Sequence, residues 1–337
     1  MPELISESGI KDAKIPIFTS FSLVQETLGV SSRHERNWPM IGTILPSQIE
    51  TGTFVREGNQ DFNAGQRPPE MQAIDKSLLE KNISEVVERI RNGEALQVVV
   101  SHHFDVEGFI GPDVLTQLLE KDRSRYVYYY KFGDLEIIGS SPENVFRKLG
   151  NFVTVSPIAG TRRRNTDTDD NLVSSLLSDN KELCEHRMLV DLARNDLSRI
   201  GVPGSVKVSR NMVPEKFYSV IHLTSTVDAE FSPGNSNFQL FSSLFPAGTV
   251  SGAPKLRALE LIDHYETKER GPYGGALGIV GESEMDLALT IRSAFMNHGI
   301  AYTQAGAGIV KDSVPRNEVE EIIAKAGTIM AGGLICA

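Results

Sequence analysis

The stretch Phe245–Gly278, FPAGTVSGAPKLRALELIDHYETKERGPYGGALG, organises the reading of the whole chain. It sets Gly248, Gly252, Gly271, Gly274, Gly275 and Gly278 among polar residues and prolines. Glycine allows positive φ and close approach of backbone to a ligand, so such a cluster marks an anion cradle or a crowded turn. A nucleotide phosphate loop is excluded. Gly248 and Gly252 stand too close together, and Lys255 is not followed by Ser or Thr.

Working outward, residues 254–265 and 316–330 read as helices, and Ser178 or Asp179 caps another that runs to about Leu197. Leu79, Ile83, Val86, Val87 and Ile90 form the apolar stripe of a helix ending near Gly93. Leu96–Phe104, Phe152–Val155, Val206–Val208, Ile221–Val227, Gly274–Ile279 and Ile300–Gln304 read as strands. Gly133-Asp134 joins Tyr126–Phe132 to Leu135–Ser140 as a hairpin. Strand pairs in tandem broken by isolated helices predict an α+β fold rather than a doubly wound parallel sheet. The polar stretch 57–70, EGNQDFNAGQRPPE, divides an N-terminal region (1–70) from the main body (71–330), with a tail at 331–337.

The 337 residues carry a formal net charge of −10, which argues against nucleic acid as the main partner. The two cysteines, Cys184 and Cys336, allow no disulfide framework, and a reducing, cytoplasmic setting is expected. The first residues lack the basic and apolar regions of a secretory signal, and no apolar run predicts a membrane span.

Two Glu-x-x-Glu pairs stand out, Glu182/Glu185 and Glu318/Glu321. On a helix, positions i and i+3 share a face, so each pair points two carboxylates one way. Asp312 or Ser313 is expected to cap the second helix, with Pro315 in its first turn. Facing helices would converge the carboxylates on a hard cation such as Mg²⁺; spacing alone points first to two solvated acidic faces. His222 sits in an apolar run and reads either as a packed core histidine or as a general acid. Arg292, alone in LTIRSAF, needs an anion, and Tyr273 is placed to donate to the same one. The 305–308 sequence AGAG offers backbone N–H groups without obstruction. Arg162–Arg164 read as a surface turn, and His102 and His103 as pointing to opposite faces of a strand.

The segments PIAGTRRR (157–164), ELCEHRMLVDLARNDLSRIG (182–201), FPAGTVSGAPK (245–255), RGPYGGALG (270–278), IRSAF (291–295) and QAGAGIVKDSVP (304–315) closely resemble the chorismate-utilising enzymes. That family includes the large subunits of anthranilate synthase, aminodeoxychorismate synthases, isochorismate synthases and salicylate synthases. The resemblance spans roughly Ile74 to Ala326. It implies a single large domain of two packed, mainly antiparallel sheets with helices outside. It also implies chorismate as substrate and Mg²⁺ held by Glu185 and Glu321, with Glu182 and Glu318 in support. Thr161, Tyr273, Arg292, Ala305, Gly306, Gly308 and Lys325 are the implied substrate-binding residues. The resemblance further implies that Thr249 lines the ring pocket and that His222 assists departure of the ring hydroxyl.

Two positions separate the branches. The water-using synthases place a lysine base where this chain has Gln97, and an amide cannot deprotonate water. Aminodeoxychorismate synthases place a lysine nucleophile where this chain has Ala159. Gln97 with Ala159 is the anthranilate synthase pattern, in which ammonia itself attacks and a separate glutamine amidotransferase subunit supplies it. The alternatives are aminodeoxychorismate formation and a non-catalytic regulatory homologue. Ser8, in ISESG (5–9), resembles part of a tryptophan-binding element, but its companion segment reads DRSRY at 122–126 and lacks both usual prolines. Altered or absent tryptophan inhibition is the expectation.

Overall fold

The computed structural model describes residues 15–34, 37–43, 70–108, 111–121, 124–164, 168–216 and 220–330. In chain order the strands begin with β1 (Ile15–Thr19), β2 (Ile41–Thr43), β3 (Glu70–Met71), β4 (Gln97–Glu107), β5 (Tyr126–Phe132) and β6 (Leu135–Ser141). β7 (Asn144–Leu149), β8 (Phe152–Val155), β9 (Ile158–Arg163), β10 (Lys207–Lys216) and β11 (Val220–Glu230) follow. The last are β12 (Gly252–Ala253), β13 (Ala276–Val280), β14 (Glu284–Leu289), β15 (Ser293–Asn297) and β16 (Ile300–Ile309).

Among the described residues they form two antiparallel sheets. One runs β10-β11-β8-β7-β14-β13-β1-β2, with β9 also paired to β11; the other runs β12-β4-β16-β15-β6-β5, with β3 on β4. The α+β class and the two-sheet architecture are as the resemblance implied. β1 lies inside the larger sheet, with Ile15 opposite Val280 and Thr19 opposite Ala276. The N-terminal region therefore contributes to the main sheet. The 57–70 stretch, apart from Glu70, and the 331–337 tail fall outside the described residues.

Local chemistry explains the helices. Asp75 caps the Lys76–Arg91 helix by accepting from the N–H groups of Ser77 and Leu78, and Leu79, Ile83, Val86, Val87 and Ile90 are all buried. Asp179 caps the Asn180–Ser198 helix through the N–H groups of Lys181 and Glu182, while also ending the Asp169–Ser178 helix before it. That earlier helix, the Gly111–Lys121 and Asn237–Leu244 helices, and strands β7, β9, β14 and β15 were not anticipated.

Three local readings are corrected. Arg162 and Arg163 belong to β9, not a turn: the strand pairs with β11, and Arg162 is held by Asp179 at 2.8 Å and Glu182 at 3.5 Å. The Pro315–Met330 helix starts from Val314, whose carbonyl accepts from Asn317 and Glu318. Ser313 instead accepts from the N–H of Val310 at 3.0 Å. β10 is ten residues long where three were expected, because its outer pairing continues through irregular register.

Candidate functional site

A cavity of about 390 Å³ is lined by residues of both sheets and of the 180–198 and 315–330 helices. All fourteen sequence-predicted site residues outside the N-terminus line it: Gln97, Thr161, Glu182, Glu185, His222, Thr249, Tyr273, Arg292, Ala305, Gly306, Gly308, Glu318, Glu321 and Lys325. Ala159 lines it too. Ser8 lies outside the described residues, as do Asp122 and Arg123. Of the companion segment, Tyr126 donates its hydroxyl to Asp286 at 2.7 Å.

Each side chain is placed by an element the sequence builds for other reasons. Gln97 begins β4 and donates from Nε2 to Glu185 Oε1 at 3.3 Å. Thr161 and His222 are register partners on β9 and β11, with Thr161 Oγ1 3.0 Å from His222 Nδ1. Thr249 sits in the Gly248–Val250 turn and donates to Glu143 Oε1 at 3.0 Å. Arg292, between β14 and β15, has φ +48°, a conformation costly for a non-glycine residue and concentrated at functional sites. Gly306 and Gly308 must lack side chains. A Cβ at Gly306 would lie 2.9 Å from both the Tyr273 hydroxyl and the Val100 carbonyl, and one at Gly308 would strike the Gln97 amide.

Behind Tyr273 lies a buried ion pair. Arg270 donates to Glu266 from Nε at 2.8 Å and from Nη2 at 2.6 Å, and to the carbonyls of Val250 and Val99. Its guanidinium also lies 5.6 Å from the Tyr273 ring centroid. Burial raises the Tyr273 pKa, so the phenol stays a donor.

The four glutamates share the cavity but are individually engaged. Glu182 meets Arg162, Glu321 meets Lys325 at 2.6 Å, and Glu318 has Lys181 at 3.9 Å. Lys325 also donates to the Gly306 carbonyl at 3.2 Å. Among the described residues no three His, Cys, Asp or Glu side chains form a ready metal cage. Even so, burial raises the pKa values of Glu182, Glu185 and Glu318, and for Glu185 the charges of Glu182 and Glu321 add to that rise. Such carboxylates gain from a cation.

Sequence reading missed Glu143. It is buried between β6 and β7 in SSPENVF, and burial pushes its carboxyl to about 8 despite the Thr249 hydroxyl and the nearby Arg292 charge. A lone glutamate flanked by strand residues was the available signal. His222 is displaced the other way. Burial, with Arg292 and Lys325, brings it to about 4 against the pull of the Gly160 carbonyl, which lies 3.2 Å from Nδ1. At neutral pH Glu143 therefore holds a proton and His222 is a neutral ring with its Nδ1–H given to Gly160. His102 and His103 lie outside this cavity; His103 stacks on Tyr302 with centroids 4.0 Å apart.

A family model described as chorismate binding enzyme matches residues 42–331. The chain is 43% identical over 252 residues to anthranilate synthase component 1 of Neisseria meningitidis serogroup B, covering 74% of this chain and 51% of the relative. It is 44% identical over 261 residues to the protein of that name from Acetivibrio thermocellus, covering 76% and 53%. The chain thus spans about half the length of these curated relatives. The crystal structure of anthranilate synthase component I from Streptococcus pneumoniae superposes with TM-score 0.83 at 33% identity, covering 96% of this chain and 81% of that one. The menaquinone-specific isochorismate synthase of Escherichia coli shares the fold, with TM-score 0.72 at 23% identity over 80% of this chain and 63% of that one. By the extent of the family match, whose range includes every residue that lines the cavity, this chain belongs to the chorismate-binding enzymes.

Proposed function

We propose that the chain converts chorismate and ammonia to anthranilate and pyruvate, with ammonia supplied by a glutamine amidotransferase subunit. The observation that carries this reading is the pair Gln97 and Ala159. Both line the cavity, and neither provides the lysine that a water-activating or covalent branch requires. The name shared by the relatives accords with it. A cytoplasmic setting fits a biosynthetic role, and no described helix is long and apolar enough to cross a membrane.

Glu185 and Glu321, supported by Glu182 and Glu318, would hold Mg²⁺, and the raised pKa of buried Glu185 suits a hard cation. Bound there, the ion would supply positive charge to a substrate carboxylate. Arg292, Tyr273 and the open backbone at Gly306 and Gly308 receive a second carboxylate. Protonated Glu143, fixed by Thr249, gives its proton to the departing C4 hydroxyl as ammonia bonds to C2, and water and aminodeoxyisochorismate result. Neutral His222, its Nδ1–H committed to Gly160, offers Nε2 as acceptor for the ring proton lost when pyruvate is eliminated. Proton donation to the hydroxyl thus falls to Glu143 rather than to His222.

The test is purified chain with chorismate, magnesium and ammonium salt near pH 8, where Glu143 still carries part of its proton, followed by anthranilate fluorescence. Isochorismate, aminodeoxychorismate without pyruvate, or no turnover would refute the reading.

A further inference from the structure

A small cavity of about 40 Å³ adjoins the wide one, lined from β7 and from the Asn180–Ser198 and Asn237–Leu244 helices. Glu143, Thr249 and Leu189 line both, so Glu143, held by the Thr249 hydroxyl at 3.0 Å, stands in the wall they share. The other polar side chains of the small cavity are Asn144 and Asp196. Asn144 is buried, at 2% exposure, whereas Asp196, fixed by Lys255 at 2.8 Å, keeps 15% of its side chain exposed. The cavity thus has a dry end beside Glu143 and a wetter end at Asp196.

Asn144 indicates what belongs there. Its Oδ1 accepts from the Ser156 N–H at 3.3 Å, which fixes the direction of the amide. Nδ2, with two N–H donors, is buried and has no acceptor among the described residues. A buried donor left unpaired is costly, and the walls around it, Val145, Leu189, Ala193 and Leu244, are apolar. A space of this size holds about two or three water molecules. Water is a ligand that can accept from the Asn144 amide while donating to the carboxylates of Glu143 and Asp196.

Amino transfer makes one water per turnover, and makes it at this wall. The C4–O bond breaks with its electron pair going to oxygen, the Glu143 proton joins that oxygen, and the ammonia lone pair forms the C2–N bond. The proton shed by the new C2 ammonium restores Glu143, so chorismate and ammonia give aminodeoxyisochorismate and water with no net proton. The water forms against Glu143 while the ring still fills the wide cavity. Left there it can add back, because the carboxylate beside it is the base that the reverse addition needs. We propose that the small cavity is a water-binding compartment that takes the departed hydroxyl as water, from Asn144 toward Asp196, and so commits the ring to pyruvate elimination. The inference rests on the reaction and the role of Glu143 proposed above.

The two halves of the reaction test it separately, since amination releases water and elimination does not. Ala193 is buried in the wall of the small cavity and does not line the wide one. Ala193→Leu therefore fills the compartment, and Ala193→Ser leaves its room. With magnesium and ammonium chloride, single-turnover consumption of chorismate should slow about tenfold in Ala193→Leu, the worth of roughly one lost hydrogen bond. Pyruvate release from supplied aminodeoxyisochorismate should keep the parent rate, and Ala193→Ser should keep both rates. Should Ala193→Leu fail to fold, Ala247→Leu narrows the same cavity from a half-buried position. Chorismate consumption unmoved in a folded, filled variant overturns the compartment while leaving the reaction intact. So do both half-reactions slowing together, or Ala193→Ser slowing amination as much as Ala193→Leu. Absence of anthranilate from the parent chain overturns the reaction, and this compartment with it.

Discussion

Replacing Glu143 by glutamine should make the protein more stable as pH rises while removing most of its activity. The carboxyl moves from an ordinary 4.5 to about 8 on folding because it is buried. Below pH 4.5 it is protonated folded or unfolded and contributes no difference. Between 4.5 and 8 the folded chain keeps a proton that the unfolded chain has released, so stability falls as pH rises. Above 8 both states are ionised and the penalty has reached its full size, about 5 kcal/mol at 1.36 kcal/mol per pH unit. Glutamine stays neutral and can still accept from Thr249. The variant's advantage over the parent should therefore grow from pH 5 to pH 9, by about 3 kcal/mol at pH 7 and about 5 kcal/mol at pH 9 relative to its low-pH value. Urea unfolding of both proteins at these pH values measures it, and other titrating groups cancel in the difference. Anthranilate formation should fall by about 10²–10⁴ in kcat, the usual worth of a general acid. A stability difference that stays flat from pH 5 to 9 would mean that Glu143 is ionised in the folded protein, and its role as proton donor would fall.

Three further outcomes are expected. Glu185→Gln and Glu321→Gln should each weaken magnesium binding at least about tenfold by calorimetry with circular dichroism unchanged; full affinity in both would remove them from the metal site. His222→Gln should slow turnover yet keep the fall in kcat on the basic side of about pH 8, because that limb belongs to Glu143; loss of the limb would return the donor role to His222. Tryptophan at micromolar concentration should leave anthranilate formation unaffected, given the altered 122–126 segment, and strong inhibition would show that the effector element works despite it.

Where sequence and structure agree, a local rule was enough. Gly133 takes φ +60° between β5 and β6, as the hairpin reading required, and the apolar stripe of residues 79–90 faces inward along its length. The unseen elements depend on partners distant in the chain. β9 carries consecutive arginines that look solvent-bound until β11 pairs with it and Asp179 and Glu182 meet Arg162. The Asp169–Ser178 helix is polar for most of its length, with Leu172 and Leu176 as its buried residues, so its stripe is faint. Within the site, the i, i+3 spacing predicted carboxylates paired on each helix. That both pairs reach one cavity follows from sheet packing, which spacing does not encode. Glu143 escaped because its unusual proton affinity arises from burial, and a single glutamate in a strand connection carries no periodic mark of it.

The position of β1 has a consequence for how the molecule is made. This strand is flanked by β13 and β2, and the Thr19 hydroxyl reaches the Ala276 carbonyl across 257 positions of sequence. At about 5–20 residues per second, β1 must wait roughly 10–50 s after its own synthesis before β13 exists. Throughout that interval the apolar residues of β1 have no sheet to join. The large sheet therefore closes only after most of the chain has left the ribosome, and a stalled or truncated product ending before β13 would keep an unpaired edge open to aggregation.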